Sequence, residues 1–232
     1  MFVDPTGMIK EGDNKLNESI QIILNGTKKD GSGGLSLAWS LADTDAERKA
    51  IAEMADKIRG FNANNINRHM ILLNSSAALG AGHTATLLLN ENDQGLLFSY
   101  YPENGNAIDN GQMRIAFLNS TDWNDLLYNN KSSKLVASNG TIQSESYNGN
   151  LYLTVSSANG KKGLAKIANL FNNPGEYNLA THNCDHMTSL VALAAEIFYD
   201  KRVAPNDSFT YTQMYHTSYW LWMLNAASKT SY

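Results

Sequence analysis

The stretch Tyr177-Asn178-Leu179-Ala180-Thr181-His182-Asn183-Cys184-Asp185-His186-Met187 decides how this chain is read. It holds the only cysteine and two of the five histidines. Behind it Met187, Leu190, Val191, Ala194, Ala195 and Phe198 recur at helical spacing, and Asn183 and Asp185 are good capping residues, so a helix is predicted to open at Cys184. A cysteine in the first turn meets unpaired backbone N–H groups and the positive end of the helix dipole, which both favour the thiolate. The plainer reading is a buried, inert thiol, since free cysteine is among the most buried residue types. The rest of the chain decides between them.

Composition narrows the function classes. At 232 residues the chain is long enough to bury a sizeable core, and a net charge of −4 offers nucleic acid no broad attraction. One cysteine excludes an intrachain disulfide and any multi-cysteine metal cluster. No signal peptide is visible, and no stretch approaches the roughly 18 apolar residues of a membrane span. No cofactor is expected.

Upstream, apolar residues Leu16, Ile20, Ile23 and Leu24 predict a short amphipathic helix, and residues 26–34 read as a Gly/Lys/Ser-rich loop. Thr44-Asp45-Ala46-Glu47 is a capping box ahead of Ile51, Met54, Ala55 and Ile58 at helical spacing, with Gly60 as the stop. The middle turns to strands: His69 to Leu73, Thr84 to Leu89, Leu96 to Tyr101 and Met113 to Leu118. The Asn90–Gly95 connection is hairpin-like, so the second and third runs should pair antiparallel. Thr121-Asp122 reads as the cap of a short helix through Trp123, Leu126 and Leu127. A strand over Leu151 to Val155 and a helix over Lys161 to Phe171 complete the approach to Cys184.

A second segment, Gly80-Ala81-Gly82-His83-Thr84-Ala85-Thr86-Leu87, puts a histidine at the edge of an apolar strand, where glycines allow close approach. A cysteine at a helix start and a histidine at a strand start suit a thiol hydrolase. The imidazole takes the thiol proton, the thiolate attacks an acyl carbon, and the imidazolium protonates the leaving group. Backbone N–H groups at the helix start, around Asn183 and Asp185, are suited to the developing oxyanion, and Gly82 to the approach of substrate.

The order of Gly82-His83 before Asn183-Cys184-Asp185-His186-Met187 reverses that of ordinary papain-like hydrolases. It resembles the circularly permuted branch of the NlpC-type papain-like superfamily, which includes lecithin:retinol acyltransferase-like proteins. Members carry a His at a core strand start and, far downstream, an Asn-Cys-Glu-His-Phe-like motif opening a helix; here Asp stands for Glu and Met for Phe. The resemblance runs from about residue 66 to about residue 200. It implies an α+β fold with a small antiparallel sheet packed against helices. It also implies a third polar residue on the strand after the histidine's, where no His, Asn or Gln stands. Ser99 is the first candidate there, with Tyr101 and Glu103 behind it.

The opening Val3-Asp4-Pro5-Thr6-Gly7-Met8 resembles the motif that closes the core of bacterial RHS-repeat proteins, ahead of a variable C-terminal toxin domain. That implies a junction over residues 1–8, a helical extension over 9–65 and a catalytic domain over 66–232. It further implies an RHS shell as carrier, delivery into target cells by a contact-dependent or type VI-like route, and a cognate immunity protein. The acyl substrate is expected to be a membrane phospholipid, with a peptidoglycan or protein amide as the alternative. The aromatic tail, with Tyr219, Trp220 and Trp222, either packs on the core or seats the chain on a lipid surface. His182 and His186 flank Cys184, but ligands alternating so closely need an extended chain, which argues against a metal centre. His69 and His216 read as structural.

Overall fold

A computed structural model describes residues 16–27, 33–74, 83–129, 131–179 and 181–197. The RHS-like opening, Gly82, His216 and the aromatic tail lie outside the described residues.

The four apolar runs of the middle form consecutive antiparallel strands, β1 (Ile66–Asn74), β2 (His83–Asn90), β3 (Gly95–Pro102) and β4 (Ile108–Leu118). The β2–β3 turn is fixed by the Asn90 side-chain oxygen, which accepts from the N–H groups of Asn92 and Gln94 at 3.0 and 3.1 Å. Asp93 takes a left-handed φ of 57° there, a conformation that Asp tolerates better than most residues. Two further strands, β5 (Ser133–Ala137) and β6 (Ile142–Glu145), extend the sheet beyond β4, and β7 (Gly149–Thr154) closes its other side on β1. The order is β6-β5-β4-β3-β2-β1-β7, with β8 (Glu176–Asn178) pairing the first residues of β4. The architecture is α+β with an open antiparallel sheet. At eight strands that sheet is larger than the small one expected.

The pleat divides β2 between two cores. Leu88, together with Leu96, Phe98, Tyr100 and Ile115 of its neighbours, faces α5 (Ser157–Asn172) and α6 (Cys184–Ala194). Ala85, Leu87 and Leu89 face the other way, with Leu97, Ala116, Leu135, Tyr147 and Leu126 of α4 (Ser120–Tyr128). Both faces of β2 are therefore covered and all eight of its residues are buried. Each such Leu contributes about 1.5–3 kcal/mol through removal from water.

The first core is completed by α1 (Glu18–Asn25), α2 (Gly34–Leu41) and α3 (Asp45–Arg59), which send Ile20, Leu24, Leu35, Ile51 and Ile58 into it. The Thr44 box forms as expected. The Thr44 hydroxyl accepts from Glu47 N–H at 3.2 Å and the Glu47 carboxylate accepts from Thr44 N–H at 3.0 Å. In α4 the cap is Asn119, two residues before the expected one, because its side-chain oxygen reaches both Thr121 and Asp122 N–H. Helix α5 begins at Ser157, earlier than expected, since Gly160 lets it lie directly on β1. A Cβ at Gly160 would stand 2.6 Å from both the Ile66 Cγ2 and its carbonyl oxygen.

Candidate active site

Helix α6 opens where the sequence places it. Asn183 is the N-cap in extended backbone, its side-chain oxygen accepting from His186 N–H at 3.1 Å while its amide donates to the Leu179 carbonyl at 2.8 Å. That second bond ties the approach loop to the helix start and fixes Cys184 as the first helical residue. The side chain of Cys184 is almost entirely buried.

The helix start rests on the beginning of β2. Thr84 donates its hydroxyl to the Asp185 carboxylate at 2.7 Å, and Thr188 reaches the same hydroxyl at 3.4 Å. Burial pushes the Cys184 thiol up to about 12, with the Asp185 charge adding to the rise. The backbone N–H groups of Thr84 and Asp185 oppose the rise. In the closed site the thiol is neutral, and the donors that would stabilise a thiolate are already around it.

Strand alternation sends Thr84 toward α6 and its neighbour His83 toward the opposite face, so the thiol packs on Thr84 and the imidazole lies one residue along, at the strand end. His83 is 3 % exposed, and its ring stacks on Tyr101 at 4.1 Å between centroids, with Tyr147 beyond at 6.2 Å. Burial, helped by the Arg114 guanidinium, pushes His83 down to about 3. Burial raises the Tyr101 phenol and Glu145 raises it further, the Arg114 guanidinium opposes, and the Cys184 sulfur adds a smaller push. Arg114 lies across the far side of the Tyr101 ring, 3.9 Å from its centroid.

Beside His83 lies a buried carboxylate that sequence reasoning missed. Glu145, at the end of β6, has its Oε2 3.8 Å from His83 Nε2. Ser99 donates to its Oε1 at 2.8 Å, Arg114 donates to the same oxygen at 3.1 Å, and the Tyr147 hydroxyl makes a short bond to Oε2. Ser99 thus touches Glu145, while Tyr101 is the ring against the imidazole. Glu103 is exposed and pairs with Asn110. The sequence did carry a signal for part of this cluster. Arg114 interrupts the apolar run of β4, and a charge in a strand interior demands a partner.

His182 and His186 stand with ring centroids 4.9 Å apart, and His182 also meets the edge of Tyr100 and the Pro174 carbonyl. Burial lowers His186, helped by His182 and Lys166. Among the described residues no group of three or more His, Cys, Asp or Glu side chains is arranged to hold a metal ion. No helix among them is long and apolar enough to cross a membrane. The arrangement sets a buried thiol at a helix start with helix N–H groups beside it, one residue along β2 from a buried imidazole that has a buried carboxylate behind it.

No family model, curated protein or solved structure matches the chain.

Proposed function

We propose that this chain is a thiol-dependent acyl hydrolase or acyltransferase with Cys184 as nucleophile and His83 as general base, built on a permuted papain-like fold of the NlpC type. One observation carries the reading: Cys184 opens α6 directly against the first residues of β2, where the buried His83 sits beside Tyr101 and Glu145. His83 takes the thiol proton as the sulfur attacks an acyl carbon. The carbonyl π pair moves to oxygen, where the helix N–H groups receive it. Collapse of the tetrahedral intermediate breaks the bond to the leaving group, which takes the proton from His83. Water, deprotonated by His83, then releases the acid and restores the thiol. Cys184 and His83 share no hydrogen bond in the closed site, so in this reading their bond forms as substrate binds, in the way catalytic hydrogen bonds tighten in the complex.

A membrane phospholipid is the substrate the reading favours. Two apolar side chains stand in water near the Cys184 approach: Ile108 is 71 % exposed and Leu179 45 %, and the Leu179 N–H binds the Ala107 carbonyl. Leu179 lies on the loop tied to Asn183 and Ile108 on the start of β4 paired to it, a placement that suits an acyl chain. In this reading the chain is the toxic cargo of an RHS carrier, delivered into target bacteria and held in check in its producer by an immunity protein.

Cys184→Ala and His83→Ala should each abolish toxicity on expression in bacteria while leaving the circular dichroism unchanged. Lipid extracts from cells expressing the wild type should show lyso-phospholipids and free fatty acids. Unchanged lipids alongside trimmed muropeptides would move the substrate to a peptidoglycan amide, and folded, fully toxic variants would end the dyad reading.

A further inference from the structure

We infer that Glu145, supplied by β6, is the positioning residue of the site: it holds the proton of His83 on Nε2 and so leaves Nδ1 as the lone pair that receives the thiol proton. The inference rests on the Cys184–His83 reading and adds to it a residue outside the strand where such a partner was expected.

Buried polar atoms in folded proteins nearly always have partners, and Nε2 of His83 is buried with none within hydrogen-bond distance. Glu145 Oε2 stands 3.8 Å from it, about 0.8 Å beyond a normal hydrogen bond. Three donors point at that carboxylate: the Ser99 hydroxyl, the Arg114 guanidinium and the Tyr147 hydroxyl. Three donors keep the group an acceptor, so it has nothing to offer Nε2 except a lone pair. A neutral imidazole beside such a group carries its hydrogen on the near nitrogen. The Tyr101 ring, pressed between His83 and Arg114, limits rotation of the imidazole out of that alignment. Ser99 acts one step back, by orienting the carboxylate.

Glu145→Gln makes the test sharp because it preserves size and reverses one polarity. Arg114 and Ser99 hold the new amide oxygen on the Oε1 side, so the NH2 group faces Nε2 and donates to it. The ring proton must then move to Nδ1, which can no longer accept from sulfur. The full 232-residue chain, labelled with 15N-histidine, is examined by long-range proton–nitrogen correlation, with hydrolysis of 4-nitrophenyl acetate measured in parallel. The wild type should show His83 protonated on Nε2. Glu145→Gln should show it on Nδ1 and lose about 10³–10⁴-fold in kcat, as wrong-tautomer variants of other triads do, with KM within about twofold. Glu145→Asp, which keeps the carboxylate, should recover part of that loss.

Wild-type His83 protonated on Nδ1 overturns the inference, and this reading requires no variant to fold. Wild-type kcat in Glu145→Gln, alongside inactive Cys184→Ala and His83→Ala, overturns the role of Glu145 and leaves the dyad standing. Hydrolysis at the wild-type rate in Cys184→Ala removes the dyad itself, and the role of Glu145 with it.

Discussion

His69 and His83 lie on neighbouring strands, are equally buried, and are both pushed down to about 3 by burial. Their surroundings differ. His69 sits in the middle of β1 with Leu88 and Leu153 as cross-strand neighbours, and neither ring nitrogen has a hydrogen-bond partner. Its shift has burial as its sole cause. His83 sits at the strand end against Tyr101, Tyr147 and Glu145, with Arg114 contributing to its shift. A depressed pKa therefore does not by itself mark a histidine for catalysis. What distinguishes them is whether oriented charges and a nucleophile surround the ring.

The largest consequence of that contrast is in activity. Replacing His83 by Ala should cost at least about 10³-fold in hydrolysis, the scale on which a lost general base is felt. His69→Leu should leave the rate within about threefold. The same His69 variant should gain about 1–3 kcal/mol in urea unfolding at neutral pH, because it removes a buried polar ring with no partner. A His69→Leu protein that is folded but inactive would break the comparison.

The next effect appears as a pH dependence of stability. Both rings are neutral in the fold and titrate near 6.5 when unfolded, so below pH 6.5 the unfolded chain binds protons that the folded chain refuses. Their stabilising contribution is complete above 6.5 and drains away as pH falls toward about 3. Each site contributes up to about 1.4 kcal/mol per pH unit over that window. Urea titrations between pH 6.5 and 4 should show a slope that His69→Leu reduces by up to about 1.4 kcal/mol per pH unit. An unchanged slope would mean that His69 is charged or solvated in the fold.

A smaller effect tests how closely the His69 side of the sheet is packed. Gly160→Ala forces a Cβ to within 2.6 Å of Ile66, whose backbone cannot yield easily. It should cost about 1–3 kcal/mol in unfolding free energy. The proton position on His83 should not change, since Gly160 lies on α5 against β1.

The same contrast explains what the sequence could show. Elements whose signal is local were legible: the Thr44 capping box, the buried runs of β1 to β4, the Asn90–Gly95 turn, and the Asn183 cap that presents Cys184. Helix α2 was missed because it opens on Gly34 and is apolar on several sides, with Leu35 and Ala38 buried but Leu37 and Leu41 exposed. Strands β5 and β6 were missed because an edge hairpin with Lys134, Gln143 and Ser144 shows no clean alternation. Glu145 was invisible for a deeper reason. Apart from the nearby Tyr147, its partners come from β2, β3 and β4, so its role exists only once the sheet has set its register. Arg114 alone, a charge inside an apolar strand, hinted that a buried carboxylate had to be somewhere.

The central claim is that Cys184 carries the acyl group, and intact-mass measurement of the full chain after brief exposure to 4-nitrophenyl acetate and an acid quench tests it most directly. The account predicts a single acetyl adduct on the peptide containing Cys184, absent from Cys184→Ala and sharply reduced in His83→Ala. Hydrolysis with no adduct on that peptide, persisting in Cys184→Ala, would contradict it.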